Sequence, residues 1–388
     1  MARPKCKNIT LSRGGAELIG AMAGSHKIKF VALDGLRGLA ALAVVFFHAQ
    51  QFLGAKPLLP SAYLAVDFFF MLSGFIIAFA YEHKLNGSWT FRRFAVTRIF
   101  RLYPLYILGC AIVLAVQLAE GMGALPGLWR IKWAGLSALA AVIFAPFHSP
   151  IVGWTLFPLN PPAWSLFVEL LINAAYGAVL FRLQNRTLAV LAVGFLVPLG
   201  WSLTAAEGGD AYLYFLRNLA PRVLYSFTAG VLIFRAYRAG WLARMPAIPF
   251  PMICIALLAS FTIPVETIYG RAAAFIGVAL GYPILMVAGI YSAVGKRSVP
   301  LARFGELYSY SLSALHYPVL VCAAFAATIT GASATALITA GSFIALLIAM
   351  AAQRYWDAPL SRKLSTWLHR RRLPAELTAD IAAPTLLR

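Results

Sequence analysis

Ten apolar runs, each about as long as a membrane-crossing helix, dominate this chain and restrict what it can fold into. They lie at 31–51, 63–81, 101–119, 164–182, 187–204, 218–235, 248–266, 272–294, 308–329 and 335–355. Lipid offers backbone groups no hydrogen-bond partners, so a spanning segment must satisfy its own, as a helix does. The runs are continuous rather than alternating, which argues against a β-barrel. Hydrophobic residues make up 61% of the sequence and charged residues 12%, too apolar a balance for a water-facing surface. The expected fold is an all-α membrane protein, a polytopic bundle of about ten transmembrane helices in one domain over 30–365. A basic leader over 1–29 and a tail over 366–388 flank it. The leader lacks the short apolar region and cleavage site of a signal peptide, so the first run reads as a retained helix.

The net charge is +20. Its Lys and Arg residues cluster between the apolar runs, which points to topology signals and anionic lipid rather than nucleic acid. The clusters are Arg92, Arg93, Arg98 and Arg101, then Arg182 and Arg186, then Arg235, Arg238 and Arg244, then Lys296, Arg297 and Arg303, then Arg362, Lys363 and Arg370 to Arg372. All fall on the cytoplasmic side if the short stretch 134–147 is interfacial or re-entrant. That gives ten crossings with both termini cytoplasmic. If 134–147 crosses, the second and third clusters lie outside. The four cysteines are scattered, and no His or Cys pair has metal-ligand spacing, so no metal site is expected.

Ionisable residues inside spans are costly and mark candidate sites. The first span holds Asp34, Arg37 and His48. Arg37 and His48 are eleven residues apart, close to three turns, so they share a face about 16 Å apart along the axis. The plain alternative is a snorkelling arginine and a satisfied core histidine. Asp67 stands near the outer end of the second span, where it could orient an imidazole, bind an acceptor hydroxyl or be an interfacial carboxylate. Ser73-Gly74, further along, suits close helix packing. Arg98 and Arg101 lie on one helix face. They suit a phosphate or simply mark the cytoplasmic side. Trp164 opens the span that carries Glu169, expected towards the outer side, and Tyr310 and His316 occupy a late span. An imidazole, acidic orienters and cations for a phosphate-bearing donor fit general-base chemistry.

These residues carry a resemblance to the integral-membrane acyltransferase family 3. Leu33-Asp34-Gly35-Leu36-Arg37-Gly38 followed by His48, Phe69 to Phe75, Arg98 with Arg101, Trp164 to Glu169, and Ser309 to Pro318 match its motifs in order. The chain departs from the family's usual pattern at Ser313 and Ala314, near Gly305, and at Asp357-Ala358-Pro359. The resemblance implies a membrane O-acyltransferase in a bacterial inner membrane. It would use acyl-CoA, often acetyl-CoA, as co-substrate with no bound cofactor. Its acceptor would be a sugar or glycolipid. By the same resemblance Arg98 and Arg101 would bind donor phosphates and Arg37 would line the entry. His48 would be base or acyl carrier, assisted by Asp34 and Glu169. Asp67, Ser73, Trp164, Tyr310 and His316 would support the site or bind acceptor. The rival reading is a transporter of a charged or glycolipid substrate, whose intramembrane Asp, His and Glu relay protons, although no internal repeat is evident.

Overall fold

A computed structural model describes residues 29–54, 56–122, 127–152, 155–204, 216, 219–360 and 362–363. The leader up to residue 28, the tail from 364, and Cys6, Glu207 and Asp210 lie outside the described residues. Helix accounts for 82% of the structure, and no strand forms among the described residues. The helices are α1 Val31–Phe52, α2 Ala65–Asn86, α3 Phe91–Met122, α4 Gly127–Val142, α5 Trp164–Ala178 and α6 Asn185–Thr204. They continue as α7 Ala220–Arg238, α8 Phe250–Phe261, α9 Ile268–Ile276, α10 Tyr282–Tyr291, α11 Val299–Thr330 and α12 Ala334–Ala352. A π turn over Gly277–Gly281 joins α9 to α10. Each expected span contains helix, although in 248–266 it covers only Phe250–Phe261. Among the described residues, seven helical stretches are long and apolar enough to cross a membrane. α5 and α8 are shorter, with 15 and 12 residues, and α7 carries Arg222, Arg235 and Arg238.

Large apolar side chains point outwards. Val197 is 80% exposed, Val190 71%, Phe343 and Leu347 66% each. In water such a surface would drive association; it is the surface expected where lipid is the solvent.

Two parallel helix pairs position the interior. In the first, α1 packs along α11, and glycine sets the distance. A Cβ on Gly38 would stand 2.7 Å from the Gly305 Cα, and a Cβ on Gly305 would collide with the Asp34 carbonyl. The Asp-Gly-Leu-Arg-Gly segment is therefore also a packing device, since only hydrogen fits between these backbones. In the second pair, Gly74 of α2 and Gly230 of α7 approach the opposing backbones equally closely. Two buried ion pairs fasten that pair at its ends: Asp67 with Arg222, and Glu82 with Arg235. Arg235 also donates to the carbonyls of Leu183 and Phe181 and to Asn185 Oδ1. It thus clamps the start of α6, beyond the topology signal read from the sequence.

Those contacts gather the basic clusters on one face of the bundle. Phe30, at the start of α1, meets Phe79 of α2 and Tyr237 of α7. Lys29 pairs with Glu306 of α11 at 2.8 Å, and Glu82 binds Arg238 as well as Arg235. Reporter fusions after Arg93, Arg186, Arg244 and Arg303 are therefore expected to report cytoplasm, and one at Gly208 the opposite side. Outside signals at Arg186 and Arg244 would mean that the stretch around α4 crosses.

The sequence places Glu169 near the outer side; the structure corrects this. The chain between α4 and α5 turns back inside the bundle. Pro318 has no N–H for the Ala314 carbonyl, and the Asn160 side chain donates to that carbonyl instead, at 3.0 Å. Asn160 is buried beside Pro161, Leu159 and Phe157. Non-helical backbone is tolerated at membrane depth where protein covers it. α5 therefore begins midway along α11, which carries Glu169 to the level of Arg98.

Candidate active site

A cavity of about 180 Å³ opens between α1, α2, α3, α5 and α11. Its charged lining comprises Lys29, Asp34, Arg37, Arg98, Arg101, Glu169 and Glu306. Ser73, Ser309, Ser313 and Tyr310 add polar oxygens, and Leu33, Phe69, Phe70, Ile76 and Phe79 supply much of the apolar wall.

The charges do not cancel. Lys29 pairs with Glu306, Arg37 with Asp34 at 3.3 Å, and Arg98 with Glu169 at 3.0 Å. Arg101 makes no hydrogen bond or ion pair among the described residues, so one guanidinium is left over. Arg37 donates from Nη2 to the carbonyls of Gly305 and Glu306. The Nε atoms of Arg37 and Arg98 are buried without a partner. Unsatisfied buried donors are costly, and three guanidiniums with donors to spare around one cavity suit an anion.

Ser73 donates to Glu169 Oε1 at 3.3 Å while its neighbour Gly74 packs on α7. The pair therefore serves both the cavity and the helix contact. Tyr310 lines the cavity and donates to the Leu102 carbonyl, tying α11 to α3.

Beyond Ser313, one turn along α11, stand the two histidines. His48 Nδ1 and His316 Nε2 are 3.1 Å apart, with ring centroids 5.0 Å apart. The separation in sequence is 268 residues here, and equally between Arg37 and Gly305. The eleven-residue spacing on α1 is thus repeated along its parallel neighbour, and both side chains face α11. His316 is buried and His48 half-buried, with Tyr317 edge-on to it at 5.7 Å.

Of the residues singled out from sequence, Asp34, Arg37, Ser73, Arg98, Arg101, Glu169 and Tyr310 meet in the cavity, and His48 and His316 meet just past its deep end. Two lie elsewhere. Both oxygens of Asp67 are taken by Arg222, and among the described residues no hydrogen bond joins it to either histidine. The pair holds α2 to α7. Trp164 packs among apolar residues at the α5 start, and its neighbours Ser165 and Leu166 reach the cavity. Sequence reasoning missed Lys29 and Glu306 as rim residues, and Arg222 as partner of Asp67. An arginine opening an apolar run was the available signal for Arg222. Among the described residues no cluster of His, Cys, Asp and Glu could hold a metal ion.

Known proteins share this sequence pattern. "Protein 2 in picA locus" of Rhizobium radiobacter is 43% identical over 187 residues, covering 45% of this chain and 96% of that protein. The exopolysaccharide production protein ExoZ of Rhizobium meliloti (strain 1021) is 28% identical over 334 residues, 82% of this chain and 95% of its own length. Acyltransferase MdmB of Streptomyces mycarofaciens is 27% identical over 322 residues, 76% and 79% of the two chains. No solved structure matches. The acyltransferase domain family matches residues 30–354, a stretch that holds both histidines of the pair and every cavity charge except Lys29. The chain belongs to that integral-membrane acyltransferase family, and it is a membrane acyltransferase.

Proposed function

We propose that this acyltransferase moves an acyl group, acetyl in the simplest case, from acyl-CoA to a hydroxyl of a carbohydrate or glycosylated acceptor in a bacterial cytoplasmic membrane. The observation that carries the donor assignment is the surplus of guanidinium groups: three carboxylates offset four cations and leave Arg101 unpaired. Phosphates of coenzyme A suit such a site, because guanidinium forks match phosphate oxygens. The phenylalanine and isoleucine wall behind them suits the less polar arm and acyl group. The sugar acceptor is supported by a relative named for exopolysaccharide production.

In this reading the thioester lies along the cavity with its carbonyl towards Ser313 and the histidines. His48 takes the proton of the acceptor hydroxyl as the new C–O bond forms. The C–S bond then breaks, and the leaving thiolate takes that proton back, giving the ester and free coenzyme A. A transient acyl group on His48 is the alternative route through the same residue.

Arg101 gives the clean test, because removing Arg98 also strands the Glu169 carboxylate. Arg101→Ala is expected to weaken acetyl-CoA binding to the purified protein by about 10-fold or more, the value of a charge-assisted hydrogen bond. Arg101→Lys should recover part of the loss, since an ammonium lacks the fork. Unchanged affinity in Arg101→Ala would remove it from the donor site and leave it a topology marker.

A further inference from the structure

Three contacts around the histidine pair point to where the protons lie. His316 Nδ1 is 2.8 Å from the Leu312 carbonyl. A carbonyl only accepts, so that nitrogen carries hydrogen. His48 Nδ1 is 3.0 Å from the Val44 carbonyl and by the same rule is protonated. The third contact joins His48 Nδ1 to His316 Nε2 at 3.1 Å. With the proton already on His48 Nδ1, His316 Nε2 must be the bare acceptor. For two neutral rings this is the sole assignment that satisfies all three contacts. It leaves His48 Nε2 without hydrogen.

We propose that His316 is a positioning residue that holds His48 in the tautomer whose Nε2 lone pair is free to take the acceptor's proton. The proposal rests on His48 being the base. A free neutral imidazole has no such obligation, and the other tautomer would present an N–H to the hydroxyl and could not accept its proton. The Leu312 carbonyl sets the His316 ring, and His316 sets the His48 ring. Parallel helices held by Gly38 and Gly305 bring the two rings to the same level. When His48 takes the proton, its Nδ1–H becomes a charged donor to His316 Nε2, and the contact strengthens as the transition state forms. A neutral imidazole here does the work for which other bases use a carboxylate. The Nδ1 protons of both rings stay in place throughout, so the step balances without a further proton source.

The test combines turnover with a spectroscopic signature. His316→Leu removes the acceptor, and His316→Gln keeps an amide oxygen near the Nε2 position. At matched abundance in membranes, His316→Leu should lower the maximal rate of transfer from labelled acetyl-CoA by about 10- to 100-fold, with the donor KM unchanged. His316→Gln should stay within about threefold of the wild type. The chain has six histidines, so a ¹⁵N-histidine solid-state spectrum, assigned by difference against His48→Asn, can read His48 directly. The wild type should show His48 protonated at Nδ1 and bare at Nε2, and His316→Leu should show that population moved towards the other tautomer. A wild-type His48 protonated at Nε2 overturns the proposal, whatever the activity of the His316 variants. Full activity in His316→Leu alongside an inactive His48→Ala overturns it and leaves the base in place. Activity in His48→Ala with none in His316→Leu overturns the base assignment itself.

Discussion

His48→Ala is expected to stop acyl transfer while the protein inserts, folds and still binds acetyl-CoA. The ring lies outside the cavity that gathers the four cations, so its loss leaves that charge cluster intact. Its ties are to the Val44 carbonyl and to His316. Removing it strands one buried acceptor nitrogen, a cost of about 1–3 kcal/mol, which a polytopic bundle can absorb. Loss of a general base slows reactions by about 10²–10⁴-fold, and loss of a covalent carrier would cost more. His48→Gln should not rescue, because an amide hydrogen-bonds but does not take up the proton. Transfer from labelled acetyl-CoA, measured at equal protein level, checks this. Near-wild-type turnover in His48→Ala would move the chemistry elsewhere.

The largest effect on stability is expected at Asp67. Its carboxylate is fully buried and is held by two nitrogens of Arg222. Removing one partner of such a pair leaves a bare charge in low dielectric, which costs about 3–5 kcal/mol. Asp67→Ala is therefore expected to lower the thermal unfolding midpoint of the detergent-solubilised protein sharply, and Arg222→Ala likewise. The double change Asp67→Leu with Arg222→Met should recover most of the loss, since apolar replacement of a whole buried pair is often neutral. Donor affinity in the double variant should equal that of the wild type, because neither residue lines the cavity. A double variant no more stable than the single ones, or one with impaired donor binding, would contradict this account of Asp67.

Much of this architecture is legible from sequence, because apolar periodicity and length are local properties. The eleven-residue spacing of Arg37 and His48 correctly puts them on one face, since helix geometry alone decides it. What that face meets is not local: Gly305 and His316 lie 268 residues away. The position of Glu169 is misread from sequence because counting crossings assumes that each run starts at a membrane surface. Here Asn160 anchors the preceding loop on the carbonyl that Pro318 leaves free, and α5 starts midway. Asp67 is similar. Its position suggests an exposed end, and only the packing of α7 on α2, set by Gly74 and Gly230, supplies Arg222. Arg235 carries two signals at once, a topology mark and a clamp, and charge counting sees only the first.

The most direct test of an acyl-CoA-dependent transfer across this bundle uses sealed membrane vesicles from the source cell, prepared inside-out and right-side-out. Labelled acetyl-CoA is supplied to the outer surface of each, and label in the carbohydrate fraction is counted. The cavity rim at Lys29 and Glu306 shares its face with the basic clusters, which predicts donor entry from the cytoplasm. Inside-out vesicles should incorporate label, right-side-out vesicles should not, and His48→Ala should abolish the signal. Equal incorporation in both orientations, or none in inside-out vesicles that retain the protein and its acceptor, would contradict the account.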